Sequence, residues 1–296
     1  MKVLVTGASG FIGFHCCNQL SALGYEVHAV SSKLQTDITV QWHKVDLLDS
    51  EQIRDLINTI RPTHLLHLAW YVEPNKYWTS IKNLHWVKAS LNLFEEFSKS
   101  GGKRIVVSGS CAEYDWGFSN YCEDSTPLNP NSLYGVCKHS LQLMLSSYAS
   151  LTELSFAWGR IFSIYGPREH PKRLFASVIQ GLLEGKNVEC KSGDLIRDYL
   201  HVEDVASAFV ELLKNDINGP INIASGEGFL LKDIVKIIEA KTERYDLLNI
   251  EAGALSSGIP QSIIADTRRI IATGWKPKFN INSGLDHTIG WYRDKL

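Results

Sequence analysis

The first thirty residues alternate apolar runs and an amphipathic segment in an order that few folds accept. Lys2 to Thr6 has the composition of a buried strand, and Glu26 to Val30 has that of a second strand. Between them, Phe11 to Leu23 has the pattern of a helix, which Gly24 ends. A strand, a helix and a strand joined by short turns form one βαβ unit, so this opening predicts parallel pairing.

The same alternation continues through the first half of the chain. The further predicted elements are strands at Gln41–Val45, His64–Ala69, Arg104–Ser108 and Phe156–Phe162, and helices at Ser50–Ile60, Ile81–Lys99 and Ser132–Tyr148. This order predicts an α/β fold with a doubly wound, Rossmann-like parallel sheet.

Shorter elements follow Tyr165, with more Gly, Pro and charge. They are predicted as helices near Phe175–Leu183, Val202–Leu213, Lys232–Ala240 and Ile281–Tyr292, and a strand near Val188–Cys190. We therefore expect one domain in residues 1–165, to which a segment near 197–224 returns, and a smaller C-terminal region in residues 166–296.

Composition and charge exclude several classes of partner. The chain has 296 residues, 44% of them hydrophobic, and a net charge of −2, which provides no basic field for nucleic acid or anionic lipid. No window approaches the roughly 18 apolar residues of a membrane span. The six cysteines lack zinc-site and disulfide-framework spacing, so we expect reduced thiols and no metal site. We predict a cytoplasmic protein whose partners are small molecules or another copy of the chain.

Three glycines mark the turn between the first strand and the first helix, at Gly7, Gly10 and Gly13. Glycine lets the backbone turn sharply and lets an anion approach it closely. The N-terminus of the following helix offers free N–H groups and a partial positive charge. The turn therefore predicts binding of a dinucleotide pyrophosphate. We expect residues 1–165 to be a dinucleotide-binding domain and residues 166–296 to be the substrate-binding region.

Tyr134 and Lys138 are four residues apart, which is about one helical turn. On a helix the two side chains share a face, so the ammonium is expected to lower the pKa of the phenol. A tyrosine of this kind can exchange a proton near neutral pH.

Together the glycine turn and the Tyr-x-x-x-Lys spacing resemble the extended short-chain dehydrogenase/reductase family, in its nucleotide-sugar epimerase, dehydratase and reductase branch. The resemblance covers nearly the whole chain. Its further motifs are His67-Leu68-Ala69, Val45-Asp46-Leu47, Ser110 four residues before Tyr114, Arg160 with Tyr165-Gly166-Pro167-Arg168, the run from Arg197 to Asp204, and Gly274-Trp275-Lys276-Pro277.

The resemblance implies a nicotinamide cofactor. The residues expected to bind it are Gly7, Gly10, Phe11, Ile12, Gly13, Ser31, Ser32, Lys33, Asp46, Leu47, Leu68, Ala69, Tyr134 and Lys138. At the end of the second strand, Ser31-Ser32-Lys33 replaces the acidic residue that binds the adenosine ribose in NAD enzymes. Two hydroxyls and a cation suit a 2′-phosphate, so we expect NADP(H), with NAD(H) as the alternative.

The resemblance also assigns roles around the reacting sugar. Tyr134 exchanges a proton with the sugar oxygen, Lys138 binds the nicotinamide ribose, and Ser110 donates a hydrogen bond to the same sugar oxygen. Residues expected to bind the nucleotide-diphosphate sugar are Trp70, Ser110, Cys111, Ser163, Arg168 and Arg197. Ser163 stands where many relatives have Asn, and Arg197 has a second interpretation as the partner of Asp198 or Asp194.

Two oxidoreductive reactions remain after the groups beside Ser110 are considered. Sugar dehydratases have an Asp-Glu pair where this chain has Cys111 and Ala112, so dehydration is not expected. The Ser31-Ser32-Lys33 run favours an NADPH-dependent 4-ketoreductase of deoxysugar biosynthesis, and an NAD-dependent C4 epimerase is the alternative. A non-catalytic dinucleotide sensor is a third hypothesis. By analogy, the helices that carry residues 81–99 and 132–148 are expected to form a homodimer.

Overall fold

The computed structural model describes residues 1–33, 40–190, 193–250 and 260–295. Its strands are β1 Lys2–Thr6, β2 Glu26–Ser31, β3 Gln41–Lys44, β4 His64–His67, β5 Arg104–Ser110, β6 Asn120–Tyr121, β7 Ser155–Ile161, β8 Ser163–Tyr165, β9 Val188–Cys190, β10 Ile196–His201, β11 Gly219–Ile223, β12 Gly228–Leu230, β13 Leu248–Ile250 and β14 Ser262–Ala265. Its helices are α1 Phe11–Ala22, α2 Ser50–Ile60, α3 Lys82–Lys99, α4 Leu133–Ser150, α5 Leu174–Leu183, α6 Val202–Lys214, α7 Leu231–Thr242, α8 Arg268–Ile271 and α9 Ile281–Arg293.

Contacts divide the described residues into two compact units. The first consists of Met1–Asp115, Pro127–Ile161 and Ala206–Ile221, and the second of Trp116–Thr126, Phe162–Val205 and Asn222–Leu296. No helix of the described residues is long and apolar enough to cross a membrane.

In the large sheet, the described strands follow the order β11-β7-β5-β4-β1-β2-β3. The chain starts at β1, moves outward to β3, and then returns to the other side of β1 through β4, β5 and β7. Because crossovers between parallel strands are right-handed, this reversal places α1 on one face of the sheet and α2, α3 and α4 on the other. The predicted doubly wound α/β fold is confirmed.

The reversal point lies between β1 and β4, which pair in parallel from Val3 with His64 to Thr6 with His67. In such sheets, ligands bind beyond the carboxyl ends of the strands where the strand order reverses. A ligand-binding site is therefore expected among the residues that follow β1, β4 and β5.

Two strand ends differ from the prediction at this edge. The strand predicted over His64–Ala69 ends at His67, because the Leu68 and Ala69 amides turn to the carbonyl and hydroxyl oxygens of Thr6. The strand predicted to stop at Ser108 continues to Ser110, because its ladder with β7 extends to the pair of Ser110 and Ile161.

The second unit has its own core and a smaller sheet with the order β12-β10-β14-β6, in which β8 also pairs with β10. Its core packs α5, α7 and α9 around buried residues such as Phe175, Ile179, Ile234 and Leu285. The strand β10 carries the motif that starts at Arg197. This strand was not predicted, because its residues show no apolar alternation.

Candidate active site

The glycine turn between β1 and α1 is held by backbone contacts that exclude side chains. Gly7 has a φ of +67°, and a β-carbon there would lie 2.8 Å from the Ala69 amide nitrogen. A β-carbon at Gly13 would lie 2.2 Å from the Gly7 carbonyl oxygen. These contacts bring the start of α1 against the turn and the turn against the end of β4.

The N-terminus of α1 fits an anionic group. Gly10 is the N-cap residue and provides no side-chain acceptor, and the first turn of α1 contains no acidic residue. The first N–H groups of a helix, here those of Phe11 and Ile12, lack partners within the helix. Phosphate oxygens are suitable acceptors for them.

At the end of β2, the hydroxyl of Ser31 is directed into the turn. Ser31 Oγ shares a hydrogen bond with Ser9 Oγ at 3.2 Å and accepts the Lys33 amide at 3.2 Å. Ser31 is buried, whereas Ser32 and Lys33 are exposed. In the run that suggested a 2′-phosphate site, the Ser31 hydroxyl is therefore engaged within the turn, and only Ser32 and Lys33 are exposed.

The other residues predicted to bind the cofactor follow β3 and β4. Asp46 is exposed and Leu47 is buried after β3. Leu68 is partly buried after β4, and the Ala69 amide donates to Thr6 Oγ1 at 3.3 Å. All four lie beyond the carboxyl ends of strands in the large sheet, on the same edge as the glycine turn.

Ser110 is the last residue of β5 and the N-cap of a 3-10 turn, Cys111–Glu113. Its Oγ accepts the Ala112 amide at 3.2 Å, and its side chain also hydrogen-bonds Tyr134. This contact depends on Gly135, where a β-carbon would lie 2.3 Å from the Ala112 carbonyl oxygen. The glycine after Tyr134 thus allows α4 to approach the end of β5.

Tyr134 lies in the first turn of α4, which Ser132 caps by accepting the Gly135 amide at 3.1 Å, as the sequence predicts. Its ring is buried among aromatic side chains that meet it edge to face. The ring centroids of Tyr77 and Trp78 lie 4.8 and 5.7 Å from its own.

Lys138 is buried one turn further along α4. Its ammonium donates to the Ser108 carbonyl at 2.8 Å and lies 3.9 Å from the centroid of the Trp70 ring. Burial lowers the pKa of Lys138 to about 7, and the charge of Glu113 acts in the opposite direction.

The expected lowering of the Tyr134 pKa by Lys138 is not found in this structure. Burial raises the pKa of Tyr134 well above its ordinary value, and Tyr77 adds to the rise. The hydrogen bond with Ser110 acts in the opposite direction, because it favours the phenolate. Desolvation dominates here, and helical spacing alone does not reveal how deeply a side chain is buried.

Trp70 was predicted to line the sugar pocket, and the structure places it against Lys138. Its indole Nε1 donates to Asn83 Oδ1 at 2.8 Å. The Asn83 amide donates in turn to the Tyr77 carbonyl at 2.7 Å. Asn83 therefore ties Trp70 to the segment that surrounds Tyr134, a role that the sequence analysis missed.

Glu113 is a second residue that the sequence analysis missed. Its side chain is fully buried and lies 2.9 Å from the guanidinium Nε of Arg160. It also accepts the Ser110 amide at 2.7 Å and the Trp158 indole N–H at 2.9 Å. Ser110 and Glu113 have the spacing of a capping box, so the contact between the Ser110 amide and Glu113 could have been predicted from the sequence.

His67, at the end of β4, lies between the glycine turn and α3. Its ring nitrogens hydrogen-bond Thr6 Oγ1 at 2.7 Å and Ser90 Oγ at 2.8 Å. Burial, and then the charge of Lys138, lower the pKa of His67 to about 3. The ring is therefore neutral at physiological pH.

In the second unit, Arg197 lies on β10 and Ser163 on β8. The guanidinium of Arg197 donates to the Ile196 carbonyl at 2.7 Å and to the Pro260 carbonyl at 2.9 Å. Ser163 pairs with Tyr199, two residues from Arg197.

The two carboxylates considered as partners of Arg197 bind elsewhere. Asp198 accepts the amides of Ser225, Gly226 and Ala265. Asp194 forms an ion pair with Lys232 at 2.9 Å. Arg168, the other arginine predicted to bind the sugar nucleotide, is exposed and has a φ of +74°.

Known proteins resemble this chain over its full length. The UDP-glucose 4-epimerase of Halalkalibacterium halodurans is 26% identical over 99% of this chain and 96% of its own. The UDP-glucose 4-epimerase of Thermotoga maritima, solved with UDP-glucose, is 25% identical and superposes with a TM-score of 0.88 over 100% of both chains. That of Thermus thermophilus, solved with NAD, is 25% identical with a TM-score of 0.86 over 100% of both chains.

The sequence model of the NAD dependent epimerase/dehydratase family matches residues 3–224. This match spans the glycine turn, the end of β5 and the whole of α4. It also agrees with the extended short-chain dehydrogenase/reductase resemblance drawn from the motifs. The chain is a member of the NAD dependent epimerase/dehydratase family.

Proposed function

We propose that this chain is a UDP-sugar 4-epimerase that retains NAD. The observation that carries the proposal is the cluster at the end of β5, where Ser110 hydrogen-bonds Tyr134 and Lys138 lies one turn away on α4. This cluster shares the carboxyl edge of the sheet with the glycine turn.

The relatives support epimerisation rather than reduction. UDP-glucose 4-epimerases of Halalkalibacterium halodurans and Rhizobium meliloti, each 26% identical, align with nearly the whole chain. The 4-ketoreductase prediction depended on the Ser31-Ser32-Lys33 run, and the hydroxyl of Ser31 is engaged with Ser9. The epimerase alternative is therefore the better supported of the two.

The residues of the glycine turn fit NAD. A pyrophosphate needs close approach to the backbone and unpaired N–H groups, which the turn and the uncapped start of α1 provide. When bound, NAD supplies a nicotinamide ring that accepts a hydride from the sugar and returns it. Gly7, Gly10, Phe11, Ile12 and Gly13 would hold its diphosphate.

Proton transfer at the sugar oxygen falls to Tyr134, assisted by Ser110. During oxidation of the sugar hydroxyl, the phenolic oxygen takes the hydroxyl proton, and during reduction it gives the proton back. Ser110 donates a hydrogen bond that orients the same oxygen. Because burial raises the pKa of Tyr134, the phenolate that accepts the proton needs support, which we assign to the Ser110 hydrogen bond and to a protonated Lys138 one helical turn away.

A homodimer remains a proposal, and the surfaces of α3 and α4 support it. These adjacent helices expose apolar side chains, among them Leu84 at 54% and Leu143 at 53%. A second copy packed through both helices would cover them. Leu143→Lys should convert a dimer to a monomer in sedimentation velocity, and an unchanged sedimentation coefficient would exclude this surface. Two further expectations stay predictions. One is a cytoplasmic location, and the other is that the nucleotide sugar contacts Trp70, Cys111, Ser163, Arg168 and Arg197.

The test uses the protein as purified, with no nicotinamide added. UDP-glucose is incubated with the enzyme, and proton NMR follows the anomeric signals of UDP-glucose and UDP-galactose. The proposal predicts an equilibrium mixture of the two sugars, whichever one is supplied. It also predicts stoichiometric NAD in the supernatant after the protein is denatured.

Tyr134→Phe is the matched negative control, because it keeps the ring and removes only the phenolic oxygen. Consumption of NADPH with nucleotide-linked 4-keto sugars, combined with no interconversion of UDP-hexoses, would instead identify a 4-ketoreductase. That result would overturn the epimerase proposal while retaining the same site.

A further inference from the structure

We propose that Glu113 is the positioning residue for Ser110, holding its backbone so that its hydroxyl donates toward the reacting oxygen. The chemistry of this inference rests on the proposed function. The residues involved all lie in the first unit.

Three donors fix the carboxylate of Glu113. Oε1 accepts the Ser110 amide at 2.7 Å and the Trp158 indole N–H at 2.9 Å, and Oε2 accepts the Arg160 Nε–H at 2.9 Å. Trp158, Arg160 and Glu113 are all fully buried. A carboxylate held on both oxygens cannot rotate away from Ser110.

The hydrogen bond from the Ser110 amide to Glu113 fixes the Ser110 backbone, and this determines where the Ser110 hydroxyl hydrogen can point. Ser110 Oγ accepts the Ala112 amide as part of the capping box. Because that lone pair is engaged inside the 3-10 turn, the O–H is left to donate outward, to the side of Tyr134. In the proposed function, this is the side on which the reacting oxygen binds. A Ser110 backbone released from Glu113 would lose this orientation.

The side chains of Glu113 and Trp158 pack so closely against β5 that position 109 must be a glycine. A β-carbon at Gly109 would lie 2.2 Å from the Trp158 Nε1 atom and 2.7 Å from Glu113 Oε1. The residue before Ser110 therefore has room for no side chain while Glu113 and Trp158 are in place. A turn by itself would not exclude a side chain at position 109, so this glycine is required by Glu113 and Trp158.

Arg160 connects the same carboxylate to Tyr114. Its Nη1 donates to the Tyr114 hydroxyl at 3.1 Å, and its guanidinium lies 4.6 Å from the centroid of the Tyr114 ring. The charge of Glu113 also opposes the loss of the Lys138 proton. A rival explanation is that Glu113 is only half of a structural ion pair, and the test must separate the two roles.

Two substitutions separate them because both remove the ion pair. Glu113→Gln retains an oxygen that can accept the Ser110 amide, whereas Glu113→Met has a similar length and no acceptor. We expect E113M to lower kcat by about 10–100-fold with KM little changed, as for a misplaced catalytic group. E113Q should recover most of this loss. Equal losses in E113M and E113Q would overturn the proposal.

A double-mutant cycle with Ser110→Ala asks whether Glu113 acts through Ser110. If it does, S110A/E113M has a kcat within about 2-fold of S110A, because there is no hydroxyl left to position. Losses that multiply in the double variant would overturn the proposal. Should E113M not fold, the same Met and Gln comparison is made with Arg160→Met, which removes the unpaired buried cation.

A readout without turnover separates this inference from the proposed function. In protein labelled with ¹⁵N-serine, the Ser110 amide is assigned by its disappearance in S110A, and its hydrogen exchange is measured. Exchange at least about 10-fold faster in E113M than in E113Q supports positioning by the carboxylate. Equal exchange overturns it, even if the wild-type protein epimerises no sugar.

Discussion

The glycine turn after β1 and the corner formed by β5 and α4 lie on the same edge of the sheet, and they are built by opposite means. The turn uses backbone groups, and its glycines leave out side chains that would collide with the backbone. The corner buries polar side chains against specific partners: Glu113 pairs with Arg160, and Lys138 donates to the backbone carbonyl of Ser108. A side chain added to the turn would collide with the backbone, whereas a polar partner removed from the corner would leave a buried polar group unpaired.

The largest expected effect comes from removing one oxygen in the corner. Tyr134→Phe should lower kcat by about 10²–10⁴-fold, because the proposed mechanism exchanges the sugar proton through the phenolic oxygen that this substitution removes. NAD affinity, measured by calorimetry, should change little. Tyr148→Phe, on the same helix, is the matched control and should turn over normally. Wild-type turnover in Tyr134→Phe would contradict the assigned role.

Adding one carbon to the turn should be nearly as damaging. Gly13→Ala places a β-carbon 2.2 Å from the Gly7 carbonyl oxygen, which cannot rotate away. We expect a loss of about 3 kcal/mol in the free energy of unfolding, together with weaker NAD binding. Gly290→Ala is the control, because this helical glycine in α9 has open space around it. Chemical denaturation that finds both variants equally stable would show that the turn is not as tight as described.

His67 connects the two regions, and its titration offers a third test. The folded state keeps His67 neutral to a pKa of about 3, whereas the unfolded chain protonates it near 6.5. The unfolded state therefore binds more protons between these values, so stability falls as the pH falls through this window. At pH 5 the loss is about 2 kcal/mol relative to pH 7.

The measurement is urea denaturation at pH 7 and pH 5 for wild type and His67→Asn. The variant should lack the part of the pH dependence that His67 causes, and the difference between the two proteins isolates it. An identical change in both proteins would mean that His67 is protonated alike in the folded and unfolded states.

The smallest expected effect concerns Trp70 and Lys138. The indole face stabilises the ammonium at 3.9 Å, a contact worth about 1 kcal/mol. Trp70→Leu should lower the Lys138 pKa and move the alkaline fall in kcat/KM to lower pH by about 0.7 pH unit. Trp70→Phe should have a smaller effect, because it retains an aromatic face. A pH profile that is unchanged in Trp70→Leu would show that the Trp70 ring does not stabilise the Lys138 ammonium.

The comparison of the two regions also explains what could be predicted from the sequence. The glycine turn, the bounds of β1 and α2, and the Ser132 cap of α4 follow from local rules of backbone geometry and capping. These rules need only neighbouring residues, so the sequence displays them.

The corner was harder to predict because its contacts join residues far apart in the chain. Glu113 meets Trp158 and Arg160 across 45 and 47 positions, and these pairings depend on strands lying side by side. The sign of the Tyr134 pKa shift depends on burial by Tyr77 and Trp78, which helical spacing does not report. The strand β10, by contrast, lacks a clear apolar period because it buries the polar residues Asp198 and His201.

The central claim is that the enzyme oxidises and re-reduces the same sugar carbon with a nicotinamide that it keeps. The most direct measurement uses UDP-glucose carrying deuterium at C4, incubated in ordinary water with the purified protein and excess free NADPH. The account predicts UDP-galactose that retains the deuterium at C4. Loss of the deuterium to the solvent or to free cofactor would contradict it.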